Sequence, residues 1–423
     1  MDKGLAARRA AVALLLEVVD KGRLMAEAVA DEQGPLNGLS GPDRARAQRL
    51  ALETLRRAES IDFLLAEYIS REPNAQSLAI LRLAVTELLE RPSEAHGIVS
   101  AAVDLAREGR YTAQAAGFMN AVLRKIAQKP RQLPTQKLPV WLRSPLVRRF
   151  GKVVVKAIEE AHLAGPMLDI TVKDQSKAEE WATKLEGKLL PTGSIRLSTG
   201  VQVSTLPGYA EGEWWVQDAA AAIPAKVLNV QKGERVLDMC AAPGGKTMQL
   251  AAAGAKVIAI DTSASRMERV RENLARTSLE AELVVGDSLE FHAAPRFDAI
   301  LLDAPCSATG TIRRHPDLPF VKSQSDMKDL LRLQSAMIDK AIELLAPGGR
   351  LVFCTCSLLP EEGEEQMAAA LARHKDMSRD QKAVQGFPGN WDAKGGGLRI
   401  RPDHWQEEGG IDGFFVGAMR KSE

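Results

Sequence analysis

The run Asp238-Met239-Cys240-Ala241-Ala242-Pro243-Gly244-Gly245-Lys246-Thr247 decides how this chain folds. A strand pattern, Arg235-Val236-Leu237, leads into it, and a helical pattern from Thr247 to Ala253 leads out. Gly244 and Gly245 let the backbone turn tightly between the two and approach a ligand with no Cβ in the way. Further on, apolar runs recur at Lys256–Asp261, Glu282–Val285, Ala299–Asp303 and Arg350–Cys354, separated by helical patterns. Continuous Val/Ile/Leu runs alternating with helices predict buried parallel strands. The expected fold over residues 217–423 is an α/β Rossmann-like domain with a doubly wound, mostly parallel sheet.

Ligands of such sheets sit at the carboxyl ends of the strands, where the motifs of this chain fall. Asp238, Asp261 and Asp287 close three successive strands at spacings of 23 and 26 residues. Asp261 is placed to accept hydrogen bonds from a ribose diol, and Asp287 suits an adenine edge. Arg266, on the next helix, could brace Asp261 or the ligand. A Gly-Gly turn alone is usually only a turn; the acidic spacing makes this one specific. One rival stays open. The octet Cys240–Thr247 misses the phosphate-loop pattern only at its first glycine, and Ile300-Leu301-Leu302-Asp303 could pass for a magnesium-binding strand. That reading leaves two later cysteine motifs idle, and the favoured one expects no metal.

Those motifs are Asp303-Ala304-Pro305-Cys306-Ser307 and Cys354-Thr355-Cys356-Ser357, each at the end of an apolar run. A cofactor loop with two thiols suits methylation of a pyrimidine at carbon 5. Cytosine C5 is a poor nucleophile. A thiolate adding at C6 makes the ring an enamine, whose C5 can attack a methyl sulfonium. The chemistry needs a nucleophilic thiol, a proton acceptor and a group that neutralises the ring at N3. Asp303 suits the N3 edge, with Lys246 as electrostatic helper. A thiol of ordinary pKa is only a few per cent ionised at pH 7. Lys246, and a helix expected to start after Ser357, could raise that fraction. Cys354, inside its strand, and Cys240 read as packing residues. Cys306 and Cys356 read as functional. Chemistry alone leaves open which of the two attacks. No Glu-Asn-Val acid of the kind that accompanies the Pro-Cys thiol in DNA cytosine methyltransferases occurs here.

Upstream the texture is different. From Leu5 to about residue 128 the pattern is helical almost throughout. Ser40 can cap a helix through Arg44, Leu50 and Leu55 to Tyr68, with a break near Ser60. Pro73-Asn74 opens another over Leu78–Leu89, and Ser93–Arg107 and Gly117–Ala127 follow. Lys129–Pro139 holds three prolines and reads as a linker. Val140–Gly212 mixes a helix, Pro145–Ala161, with strand candidates at Leu168–Val172 and Val201–Ser204. The expected division is an all-helical domain over 1–130, a linker and small α+β segment over 131–216, and the Rossmann-like domain over 217–423.

The bulk composition, 45% hydrophobic and 26% charged over 423 residues, is that of an ordinary globular chain. Four cysteines in no disulfide-like framework point to a reducing cytoplasm. No stretch reaches the roughly 18 apolar residues of a membrane span. Ala10–Leu16 behind Arg8-Arg9 faintly resembles a signal peptide, but Glu17 and Asp20 cut it short. Residues 1–150 carry 23 Lys+Arg against 17 Asp+Glu, and the remainder 33 against 38. Eighteen of those 23 are arginine, suited to phosphate forks and base stacking. An RNA partner is permitted; a solvated helical face accounts for the charge equally well.

Taken together, the run Asp238–Thr247, the Asp303–Ser307 segment and Thr355-Cys356-Ser357 resemble the signature motifs of the RNA cytosine-C5 methyltransferases. The resemblance implies S-adenosylmethionine as methyl donor, Cys356 as nucleophile and Cys306 as the thiol that helps release the product. It implies a donor site from Cys240, Ala241, Ala242, Pro243, Gly244, Gly245 and Lys246 with Asp261, Asp287 and Asp303, to which Arg266 is added. Ile312-Arg313-Arg314-His315-Pro316-Asp317 and Asp412-Gly413-Phe414-Phe415 also match. Arg313 and Arg314 are expected to contact RNA, with a structural loop role as the alternative. Asp43-Arg44-Ala45-Arg46-Ala47 and Gly117–Arg124 look like the helical NusB-type RNA-binding domain. The combination resembles the bacterial small-subunit ribosomal RNA methyltransferases of the Sun/Fmu type. That implies 16S ribosomal RNA as substrate, a cytoplasmic monomer, and no membrane. The alternatives are another RNA, such as tRNA, or a non-enzymatic NusB-like RNA-binding factor. Two departures stand out. Ala308 replaces the usual glycine of Pro-Cys-Ser-Gly-Thr-Gly, and Gln217-Asp218-Ala219-Ala220-Ala221-Ala222 replaces Gln-Asp-Ala-Ser-Ala-Gln. The second removes polar groups expected near the active site. Neither touches the thiols or the cofactor acids, so activity is expected.

Overall fold

Capping and apolar spacing build the first half. Ser40 accepts a hydrogen bond from the Asp43 amide and starts the helix Gly41–Leu55; Asn74 accepts one from Ser77 and starts Ala75–Glu90. With Leu5–Val19, Met25–Ala30, Ala58–Leu65, Ala95–Glu108 and Ala116–Gln128 these form the expected helical array. Leu14, Leu50, Ile80, Val85, Met119 and Leu123 fill its core. Arg8 and Glu87 pair within that core through two hydrogen bonds of 2.6 and 2.8 Å, which compensates both buried charges. The break expected near Ser60 lies at Arg56-Arg57, and the second helix ends at Leu65, short of Tyr68. The single helix expected over Pro145–Ala161 is two, Val140–Phe150 and Lys152–Ala164, parted by Gly151 at φ 86°. The computed structural model describes residues 4–71, 73–129, 132–198, 200–393 and 396–423. Pro130 and Arg131, where the first domain was expected to end, lie outside these.

The chain forms two compact units. The first is residues 1–164 together with Ile312–Ser323. That later segment packs among the N-terminal helices: the Asp317 carboxylate accepts from the Met25 amide at 2.9 Å, and the Arg313 carbonyl accepts from the Arg56 guanidinium at 2.7 Å. His162 is buried in the same cluster, its carbonyl accepting from the Arg56 guanidinium at 2.8 Å. Burial, then the Arg56 and Arg313 charges, push its pKa down to about 3.

The second unit holds two sheets. Strands β1 (Leu168–Val172), β2 (Lys188–Leu189), β3 (Ile195–Leu197) and β4 (Trp214–Val216) form an antiparallel sheet in the order β2-β3-β1-β4. Ile170 and Val172 pack with Trp181 and Trp214 on one face. On the other, Asp169 forms a bidentate pair of 2.7 and 2.8 Å with buried Arg196. Val201–Ser204 is not the expected strand; a 3-10 turn occupies Val203–Thr205.

The larger sheet contains β5 (Arg235–Met239), β6 (Lys256–Asp261), β7 (Glu282–Val285), β8 (Phe297–Asp303), β9 (Leu345–Thr355), β10 (Met377–Arg379), β11 (Leu398–Ile400) and β12 (Phe414–Lys421). Its order is β10-β12-β9-β8-β5-β6-β7, with β11 also on β12. The five strands β7-β6-β5-β8-β9 are parallel; β12 runs antiparallel to β9, and β10 and β11 antiparallel to β12. The chain moves outward from β5 through β6 to β7, then returns to lay β8 on the other side of β5. In open sheets of this kind, ligands bind outside the carboxyl ends of the strands at such a reversal, here between β5 and β8. Among the described residues, no helix is long and apolar enough to cross a membrane, and no three side chains are grouped to hold a metal.

Candidate active site

Register brings together residues that are distant in sequence. In the parallel pair β8–β9, Asp303 lies opposite Cys354. The two strands therefore end level, and the turns that follow carry Cys306 and Cys356 to the same edge. Their sulfurs are 3.4 Å apart and all four cysteines are free. The next strand across, β5, delivers the glycine turn. Gly244 takes φ 100°, a conformation that suits glycine, and caps the helix Gly245–Ala252. From its first turn Lys246 reaches Asp303, Nζ to Oδ2 at 2.7 Å. On the other carboxylate oxygen the Cys354 thiol donates at 3.4 Å.

The electrostatics separate these groups. Burial alone would lower the Lys246 pKa, but the adjacent Asp303 carboxylate outweighs it and holds the ammonium above its usual range. Cys306 is pushed well up, first by its hydrogen bond to Cys356, then by burial, then by the charges of Cys356 and Glu362. Cys354 and Cys240 are raised chiefly by burial, with Asp303 adding to both. Cys354 packs in its strand as expected, and in addition contacts Asp303. The α-helix expected after Ser357 begins only at Glu364, behind a 3-10 turn at Pro360–Glu362.

Around the loop, Asp261 is 5% exposed and accepts from the amides of Ala242 at 3.2 Å and Ser263 at 3.0 Å. Arg266 approaches Asp261 at 3.7 Å and donates to the Ala242 carbonyl at 2.5 Å. Asp287 is exposed just past β7, where Val285 presents an apolar surface beside Asp261 in the register. Carboxylates for ribose hydroxyls and an adenine amino group, with an exposed valine for the ring face, are a donor set that fits an adenosyl group. Lys246 is engaged with Asp303, and the first-glycine position of the phosphate-loop pattern is Cys240 at φ 62°.

Asp238 is fully enclosed below the loop. Burial raises its pKa from 3.8 to about 7, against the hydrogen bond that Thr247 Oγ1 donates to it at 2.6 Å. Because the folded value lies above the unfolded one, its contribution to stability is complete below about pH 4. It is lost as pH rises through 7. Thermal melts from pH 5 to 8 should show Asp238→Asn gaining on the wild type toward pH 8. A constant difference would remove Asp238 from the pH response.

Several residues of the site had no sequence signal. Glu362 is fully buried and binds Ser307, from the Cys306 turn; Gln334 Nε2 reaches both Glu362 at 3.0 Å and the Pro305 carbonyl at 2.9 Å. Arg399 donates to the Ser357 carbonyl and pairs with Glu364. Glu362 lies on the 3-10 turn Pro360–Glu362. Ala308 adopts φ 56°, the left-handed conformation that explains the usual glycine there. A Cβ on Gly310 would fall 2.0 Å from the Gly413 carbonyl, so the Asp412–Phe415 motif packs against the turn after Cys306. Ala219, Ala220 and Ala222 are fully buried, the first two in a core cluster with Ile223 and Val236. One expectation is corrected. Arg313 is fully buried, which gives it the structural loop role and not an RNA contact.

Comparison with known proteins identifies the family. Residues 225–420 match the family model "16S rRNA methyltransferase RsmB/F", and residues 5–128 match the NusB family. A ribosomal RNA small subunit methyltransferase B from Cronobacter sakazakii is 33% identical over 92% of this chain and 95% of its own length. The crystal structure of PH0851 shares the fold with a TM-score of 0.76 at 22% identity, covering 99% of both chains. A methyltransferase homologue from Pyrococcus horikoshii overlays with a TM-score of 0.55 at 27% identity, over 66% of this chain and 94% of its own. The chain therefore belongs to the ribosomal RNA small subunit methyltransferase B family, S-adenosylmethionine-dependent RNA methyltransferases with a NusB-family segment ahead of the catalytic domain.

Proposed function

We propose that this chain methylates C5 of a specific cytosine in 16S ribosomal RNA through a covalent bond between Cys356 and C6. The observation that carries the reading is the pair of free thiols 3.4 Å apart, next to the Lys246–Asp303 pair. Binding, uridine methylation or transfer to an exocyclic amine would leave one or both thiols without work.

The roles follow from the surroundings. Cys356 adds to C6 as the thiolate. Asp303, oriented by Lys246 and Cys354, faces the N3 edge and shares a proton with it, which offsets the charge that addition creates. S-adenosylmethionine supplies an electrophilic methyl group for C5, held by Cys240–Lys246 with Asp261, Arg266, Asp287 and Asp303. When a solvent water takes the C5 proton, the C–H electron pair restores the C5–C6 double bond and Cys356 departs as the thiolate. Cys306 assists this release. The helical residues 1–130 hold the RNA, residues 131–216 form the linker and small α+β segment, and residues 217–423 carry the chemistry.

The test is a denaturing gel of Cys306→Ala incubated with S-adenosylmethionine and labelled, unmodified 16S ribosomal RNA. A heat-stable protein–RNA band that disappears when Cys356 is also replaced is expected. If no band forms and the wild type transfers no methyl group to this RNA, the substrate assignment falls.

A further inference from the structure

Two thiols 3.4 Å apart pose a choice that their own chemistry does not make. Each follows a strand end, each is partly accessible, and each could attack. Something outside the pair must break the symmetry, and the turns that carry it must be held firmly for the sulfurs to stay in contact.

The group beneath them is Glu362. It has no exposed surface, and among the described residues no lysine or arginine pairs with it. Neutral donors satisfy it instead. The Ser307 amide donates at 2.8 Å and the Ser307 hydroxyl donates to the second oxygen. Gln334 Nε2 donates at 3.0 Å. The Glu362 carbonyl accepts from Thr355 Oγ1 at 3.0 Å, so the same residue grips the strand end before Cys356. Ser307 Oγ lies 3.2 Å from Ser357 Oγ, which lies 3.2 Å from Thr309 Oγ1, closing a buried network between the turns. A buried carboxylate without a counter-ion is costly to keep and is retained here by at least three hydrogen bonds.

We infer that Glu362 is a positioning residue for the thiol pair: it clamps the Pro305–Ser307 turn to the Thr355–Ser357 turn and biases the pair so that Cys356 attacks. The bias is electrostatic. An uncompensated negative charge bound to the residue next to Cys306 disfavours a second negative charge on that sulfur. Cys306 thus keeps its proton and donates it toward Cys356, which leaves Cys356 as the member able to act as thiolate. Glu362 is among the groups that raise Cys306, behind the hydrogen bond to Cys356 and burial. The other charges at these strand ends, Asp303 and Lys246, form their own pair at 2.7 Å. The assignment of attack to Cys356 rests on the proposed C5 reaction; the clamp does not.

The experiment measures the thiols directly, without RNA. At pH 7.5, iodoacetamide labelling of the full chain, read by peptide mass spectrometry, gives the Cys306:Cys356 rate ratio. Glu362→Gln keeps the size of the side chain and removes its charge, so the ratio should rise roughly tenfold. An unchanged ratio overturns the charge bias. Diamide-driven formation of a Cys306–Cys356 disulfide reports their proximity. It should be retained in Glu362→Gln and slow at least fivefold in Glu362→Ala. If Glu362→Ala does not fold, Gln334→Ala, which removes one donor to the clamp, should slow it by a smaller factor. Wild-type disulfide rates in the alanine variants overturn the clamp. Expected thiol results alongside a failed RNA-trapping gel would reject the C5 reaction and leave the clamp standing.

Discussion

Replacing Cys356 by alanine should reduce methyl transfer by about 10⁴-fold or more, because the substitution removes the only group assigned to form the covalent bond. Stability should barely change. Cys356 is partly exposed at the end of β9, and the hydrogen bond to its carbonyl, from the Gly310 amide at 2.8 Å, belongs to the backbone and survives the substitution. The loss of one small half-buried side chain is worth under about 1 kcal/mol. Binding of the methyl donor, followed by calorimetry, should be that of the wild type. Turnover within tenfold of wild type would transfer the nucleophile role to Cys306 and reverse the inferred bias between the thiols.

The second large effect is expected at Asp303. Asp303→Asn leaves the Lys246 ammonium, 2.7 Å away and almost fully buried, facing a neutral amide. An unpaired buried charge of this kind destabilises by about 2–3 kcal/mol, after allowing for the partial exposure of Asp303 itself. Turnover should drop by roughly 10²–10³-fold, the usual contribution of a positioned acid. Loss of stability and loss of chemistry can be separated. Adding Lys246→Met removes the orphaned charge, so the double variant should recover most of the melting temperature and none of the activity. Recovery of both would mean that Asp303 serves only as a partner for the lysine.

The strand ends that carry these two residues were legible in the sequence. The α/β half was legible because parallel strands, buried on both faces, must be written as uninterrupted apolar runs, and each run ends where polar chemistry begins. Asp238, Asp261, Asp303 and the cysteines could be picked out by that position alone. The helical half was legible from caps and from the 3.6-residue rhythm, since Ser40 and Asn74 mark helix starts wherever the rest of the chain goes. The boundaries were less secure. Gly151 splits a continuous helical pattern, because the pattern records which faces are apolar and is silent on where the backbone bends. Val201–Ser204 has strand-forming residues but pairs with no strand among the described residues, and a 3-10 turn occupies Val203–Thr205.

By itself, then, the sequence determined the two fold classes, the order of strand ends along the chain and the residue types at each. Those are local properties, set by periodicity, turn chemistry and the length of apolar runs. Only the tertiary structure decided which ends meet. The 3.4 Å thiol contact depends on β8 and β9 being adjacent and in register, and the Lys246–Asp303 pair on β5 lying next to β8. Burial was likewise decided there. It turned Arg313 from an expected RNA contact into a structural residue and placed Glu362 against the turn that carries Cys306. Burial depends on what packs against a residue from distant parts of the chain, and no window of neighbouring residues contains that information.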